Sequence, residues 1–136
     1  MIARSEFRPK YRKSPLSKED RAFLTFVRTL PCFVCFHELY EFVSRQPWVL
    51  IDMLNDELIP QDRQKTPTEA AHLGLSTSRR GLSQKYPPRE CGPLCTDHHT
   101  GLKTSHHAGT KTFWERNNID RDWIINLIQK LYEASK

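Results

Sequence analysis

No apolar run in this 136-residue chain is long enough to cross a bilayer, and its start, MIARSEFRPKYRKSP, lacks the hydrophobic centre of a secretory leader. No segment repeats, and none is of low complexity. Apolar content suffices for one modest core and leaves no surplus, so a bound metal would help to hold the chain together. These absences predict a cytoplasmic protein in a reducing compartment, where Cys-x-x-Cys pairs hold metal more often than they form disulfides.

Positive charge is in excess and unevenly placed. Net charge is +5 and the pI about 9.2. One basic group is Arg4, Arg8, Lys10, Arg12 and Lys13; the other is Arg79, Arg80, Lys85 and Arg89. Residues 1–15, with Pro9, Pro15 and little apolar surface, read as a flexible basic arm, and residues 16–136 as a single domain. Clusters of this kind attract a phosphate backbone, because each neutralised phosphate releases counterions. Arg12, Lys13, Arg79, Arg80 and Lys85 are the candidate nucleic-acid contacts, although basic tails also occur on proteins that bind none.

The stretch CGPLCTDHHTGLKTSHHAGTKTFW, residues 91–114, carries two of the four cysteines and four of the six histidines. Cys95-Thr-Asp-His98 has the gap that lets both side chains reach one zinc ion from a tight turn, and Cys32-Phe-Val-Cys35 supplies the second half of a tetrahedral set. The plain alternative is buried thiols and a surface histidine. Cys91 stands one residue too far from Cys95 for the same gap and reads as a small core residue.

Local signals predict mostly helix. Ser17 with Asp20 resembles a capping arrangement, and Phe23, Leu24, Val27 and Leu30 recur at helical spacing as far as Pro31. The apolar segment 36–58 is interrupted by Pro47, which predicts two short helices with Trp48, Ile51, Met53 and Leu54 facing a core or a partner. PQDRQKTP, residues 60–67, reads as a polar connector. A strand is expected from Thr68 to His72 and Leu73, a loop over STSRRGLSQKYPPRE, a return strand from Cys91 to Leu94, and then a helix carrying His99 whose regularity Gly101 and Gly109 limit. Asp120 is placed to cap a last helix bearing Trp123, Ile124, Leu127, Ile128 and Leu131.

The segments Cys32-x-x-Cys35, Ala71-His72, Pro93-Leu94-Cys95-x-x-His98-His99 and His106-x-x-Gly109-x-x-x-Phe113-Trp114 resemble the HNH (ββα-metal) endonucleases of the phage and prophage recombination-associated type. The resemblance implies an α+β fold, a zinc-stabilised ββα-metal core with flanking helices, its knuckle near 30–35 and its core near 67–110. It implies a phosphodiester hydrolase acting on DNA with low sequence specificity. His72 would be the general base, and His99 with His106 the ligands of a catalytic Mg2+, Mn2+ or Zn2+; His107 is the alternative to His106. Cys32, Cys35, Cys95 and His98 would hold structural zinc. DNA, single strands and recombination intermediates included, would be the substrate, a recombinase a candidate partner, and the chain a monomer or homodimer. Three positions depart from the pattern. Ala71 stands where relatives carry an acid, with Glu69 nearest upstream; Pro88 replaces an aspartate; and seven residues separate His99 from His106. Two further readings therefore stand beside the nuclease: a zinc-stabilised non-catalytic nucleic-acid-binding module, and an interaction module that docks through residues 36–58.

Overall fold

The computed structural model describes residues 16–60, 62–76 and 87–136. The arm expected over residues 1–15, and with it Arg12 and Lys13, lies outside them, as do Arg79, Arg80 and Lys85. Helix α1, Lys18–Thr29, opens where the Ser17 hydroxyl accepts the backbone N–H of Asp20 at 3.0 Å. Glu19 and Asp20 in its first turn and Arg28 in its last oppose the partial charges of the helix ends. Phe23, Leu24 and Val27 share its buried face. Pro31 cannot continue the helix, and the chain turns away into the first cysteine pair.

Pro47 splits the next apolar segment. Helix α2 is His37–Val43, and α3 is Pro47–Asn55 with the proline in its first turn, where no N–H is missed. Tyr40 and Val43 of α2 and Leu50 of α3 are buried, and the Tyr40 hydroxyl donates to the Pro31 carbonyl at 2.6 Å. Trp48 faces solvent instead, 56% exposed, as does Phe42 at 72%.

Strands β1, Thr68–His72, and β2, Cys91–Cys95, pair antiparallel with Thr68 opposite Cys95 and His72 opposite Cys91. Pro93 is tolerated because two paired strands leave each an open edge. On that edge its carbonyl accepts the Phe33 N–H at 3.0 Å, joining the first cysteine pair to the sheet. Gly92 allows the close approach: a Cβ there would lie 2.6 Å from Leu73 Cδ1.

After β2 the helix expected to carry His99 is cut to a single turn. The chain makes one π-helical turn, Asp97–Gly101, and leaves it at Leu102 in extended conformation. The break comes where Gly101 weakens the helix. Helix α4, Thr110–Asn117, then ends at Asn118, which adopts the left-handed conformation at φ 52°. Asp120 caps α5, Arg121–Ala134, its carboxylate accepting the N–H groups of Asp122 at 3.0 Å and Trp123 at 3.3 Å. Replacing a cap of this kind removes acceptors that the free N–H groups need. Asp120→Ala is expected to lower stability by about 1 kcal/mol in a denaturant titration; an unchanged midpoint would show that the cap contributes nothing.

α5 presents Ile124, Ile125, Leu127, Ile128 and Leu131 inward, against α3 and the sheet, while α1 packs on the sheet beside it. The result is a small α+β fold, a two-stranded sheet among the described residues flanked by helices, with the Cys32–Cys35 and Cys95–His98 pairs brought together at one end of the hairpin. Among the described residues no helix is long and apolar enough to cross a membrane.

Candidate metal centre

Four side chains separated by up to 66 positions converge. Cys32 and Cys35 lie in the turn between α1 and α2, Cys95 ends β2, and His98 sits in the π turn directly after it. Their ligand atoms all lie within 4.8 Å of one another. Zinc bonds of about 2.3 Å to sulfur and about 2.0 Å to nitrogen place tetrahedral neighbours roughly 3.8 Å apart for S···S and roughly 3.5 Å for S···N. Cys35 and Cys95 Sγ are 3.9 Å apart, and His98 Nδ1 lies 3.6 Å from Cys32 Sγ, 3.5 Å from Cys35 Sγ and 3.1 Å from Cys95 Sγ. The set therefore fits one zinc ion with Nδ1 of His98 as its nitrogen ligand.

The electrostatics ask for a cation. The hydrogen bond with Cys35, together with burial, pushes the Cys32 thiol up to about 11, and that with Cys32, together with burial, pushes Cys95 up to about 12. Thiols crowded like this do not ionise side by side unaided, whereas a divalent ion binds them as thiolates and displaces the protons.

Surrounding groups fix the ligands. Gln64 Oε1 accepts the Cys32 N–H at 2.8 Å, while its Nε2 donates to the Thr66 carbonyl and to Thr68 Oγ1, each at 2.8 Å. Arg63 donates to the Cys35 carbonyl at 2.9 Å and to Glu38 at 2.8 Å, with its guanidinium over the Phe36 ring. The segment read as a polar connector thus orients both cysteines. Nothing in its composition announced this; a glutamine near a knuckle has no sequence signature. Second-sphere contacts of this kind hold ligands in place and tune the affinity for metal.

The remaining histidines go elsewhere. His99 Nδ1 lies 2.8 Å from Glu69 Oε1, a bond that holds the Glu69 carboxyl below its ordinary range, and Thr96 Oγ1 donates to the same carboxylate at 3.2 Å. His106 turns inward, 6% exposed, edge-on to Phe113 and Trp114. Burial, then the neighbouring His107 and His99, push it down to about 4, so it is uncharged near neutral pH. Neither of its ring nitrogens has a hydrogen-bond partner among the described residues. His107 stays exposed beside His99, with ring centroids 4.7 Å apart. His72 sits at the end of β1 with Nδ1 3.4 Å from Cys91 Sγ.

These positions correct the expected catalytic centre. Among the described residues, the only metal-ligand cluster is Cys32, Cys35, Cys95 and His98; His99 and His106 do not assemble with a third ligand into a second one. The physical reason is that the two imidazoles take different partners: His99 is bonded to Glu69, and His106 is buried edge-on to Phe113 and Trp114. A closed Cys3His set is the structural kind, with four protein ligands and no position left for water or substrate. No family model, curated protein or solved structure matches the chain. The resemblance to HNH endonucleases is accordingly withdrawn, and with it DNA hydrolysis, the general-base role of His72, the catalytic Mg2+ or Mn2+ and the phage recombination context. The expected recombinase partner loses its only ground. What the four ligands support is one structural metal ion, zinc by the chemistry of the donor set.

Proposed function

We propose that this chain is a zinc-stabilised, non-catalytic nucleic-acid-binding module, working in the cytoplasm as a monomer or homodimer. The observation that carries the reading is the closed Cys3His cluster, which gives the metal a structural task in place of a catalytic one. A net charge of +5 favours a polyanion, and three thiols serving as ligands suit a reducing compartment. On this reading Arg12, Lys13, Arg79, Arg80 and Lys85 neutralise phosphates without reading bases.

Affinity for oligonucleotides should therefore fall steeply with salt. In fluorescence anisotropy on zinc-loaded protein, log K is expected to decline linearly with log salt, and Arg79→Ala, Arg80→Ala or Lys85→Ala should each reduce the slope by about 0.9 on duplex DNA, equally for unrelated sequences. Affinity that ignores salt, or a loss confined to one sequence, would overturn the assignment.

A further inference from the structure

Helix α4 begins without a cap. Its N-cap residue is Gly109, which offers no side chain, and no side chain elsewhere takes up the role. Among the described residues the backbone N–H groups of Thr110, Lys111 and Thr112 meet no acceptor, the first bond of the helix being Phe113 N–H to the Gly109 carbonyl at 2.8 Å. Unsatisfied donors at a helix start carry partial positive charge and hold anions readily.

A cleft of about 130 Å³ opens at this helix end, lined by Lys103, Ser105, Gly109, Thr112 and Arg116 among others, with no acidic residue. Neither Lys103 nor Arg116 forms an ion pair among the described residues. Ser105 provides an independent sign of a missing ligand. It is 1% exposed, and its Oγ has no hydrogen-bond partner among the described residues. A buried hydroxyl without a partner is destabilising, and such groups are rare in folded proteins. Lys103 and Arg116, Thr112 with its free N–H, and Ser105 with its orphan hydroxyl all line one small cleft, a donor set without an acceptor among the described residues.

We infer that this cleft is a phosphate-binding site, with Arg116 and Lys103 supplying charge and Ser105 and the start of α4 supplying hydrogen bonds. A tetrahedral oxyanion suits it, because its oxygens can be shared among donors from several directions. The inference deepens the nucleic-acid reading by naming where a backbone phosphate seats, and it rests on that reading for its natural ligand.

Inorganic phosphate is the probe, so that the site and the nucleic-acid reading can fail separately. The zinc-loaded full chain, titrated with phosphate and followed by 15N–1H correlation spectra, is expected to show saturable shifts at the amides of Thr110, Lys111 and Thr112. Sodium chloride at matched ionic strength should leave them in place. Arg116→Gln should weaken phosphate about tenfold, as loss of a charge-assisted bond does, and Ser105→Ala about threefold while the fold is kept. If the three amides do not move, or move equally with chloride, the site is refuted. In the oligonucleotide assay Arg116→Gln should lower the salt slope by roughly one phosphate. Phosphate binding that depends on Arg116, with oligonucleotide binding untouched by the same change, would keep the site as one for free phosphate and overturn its link to nucleic acid.

Discussion

Stripping the metal with a strong chelator is expected to unfold the domain, with loss of helical circular dichroism and of the cooperative thermal transition. Structural zinc in small domains is bound with about 10–16 kcal/mol, as much as the whole stability of a typical domain, about 5–15 kcal/mol. Metal analysis should give one zinc per chain, and Cys32→Ser or Cys95→Ser should abolish both the zinc and the transition. Cys91→Ser is the control. Cys91 is buried and its thiol faces His72, so the substitution should lower stability yet leave zinc stoichiometry at one. Zinc retained in Cys32→Ser, or lost in Cys91→Ser, would show that the ligand set is wrong.

Phe33→Ala should be the most damaging change outside the ligands. Phe33 stands between Cys32 and Cys35, fully buried, with its ring stacked on Trp114 at 5.8 Å and edge-on to Phe113 at 6.4 Å. Its N–H is the one that bonds to Pro93 of β2. Truncation empties the space between the cysteine pair, the sheet and α4, and should lower stability by about 3–5 kcal/mol. Zinc affinity should fall along with it, since the turn that presents Cys32 and Cys35 is propped by that ring. Phe42→Ala on the exposed side of α2 should stay within about 0.5 kcal/mol of the unchanged protein. Comparable melting of the two variants would contradict the packing role.

The local signals in the sequence were reliable where structure is decided locally. Ser17 and Asp120 marked the starts of α1 and α5, Pro47 split the second apolar segment, and the spacing within each Cys-x-x-Cys or Cys-x-x-His pair announced the ligands. Both strands fell within a residue of their expected limits. His98 was read correctly, whereas His99 and His106 were misjudged, because a shared catalytic metal was expected of them from the resemblance. Within ten positions, His98 joins the thiols, His99 meets Glu69, His106 is buried among rings and His107 faces solvent. Which way each imidazole points depends on the chain's exit from the π turn at Leu102, and no periodicity encodes that exit. Gln64 and Arg63 were invisible for a similar reason: they act through contacts 28 to 32 positions away in the chain.

The joining of Cys35 to Cys95 through one ion closes a ring of 60 residues. Closing a ring of that size costs an open chain about 4 kcal/mol of entropy, so the ion behaves like a removable cross-link between distant parts of the polymer. Helices α2 and α3 and both strands lie inside the ring, whereas α1, α4 and α5 lie outside it. The enclosed segments are tethered at both ends only while the ion is present. They therefore share one melting unit whose lifetime follows metal release, and the capped outer helices α1 and α5 are the last to lose their local order once the ion leaves.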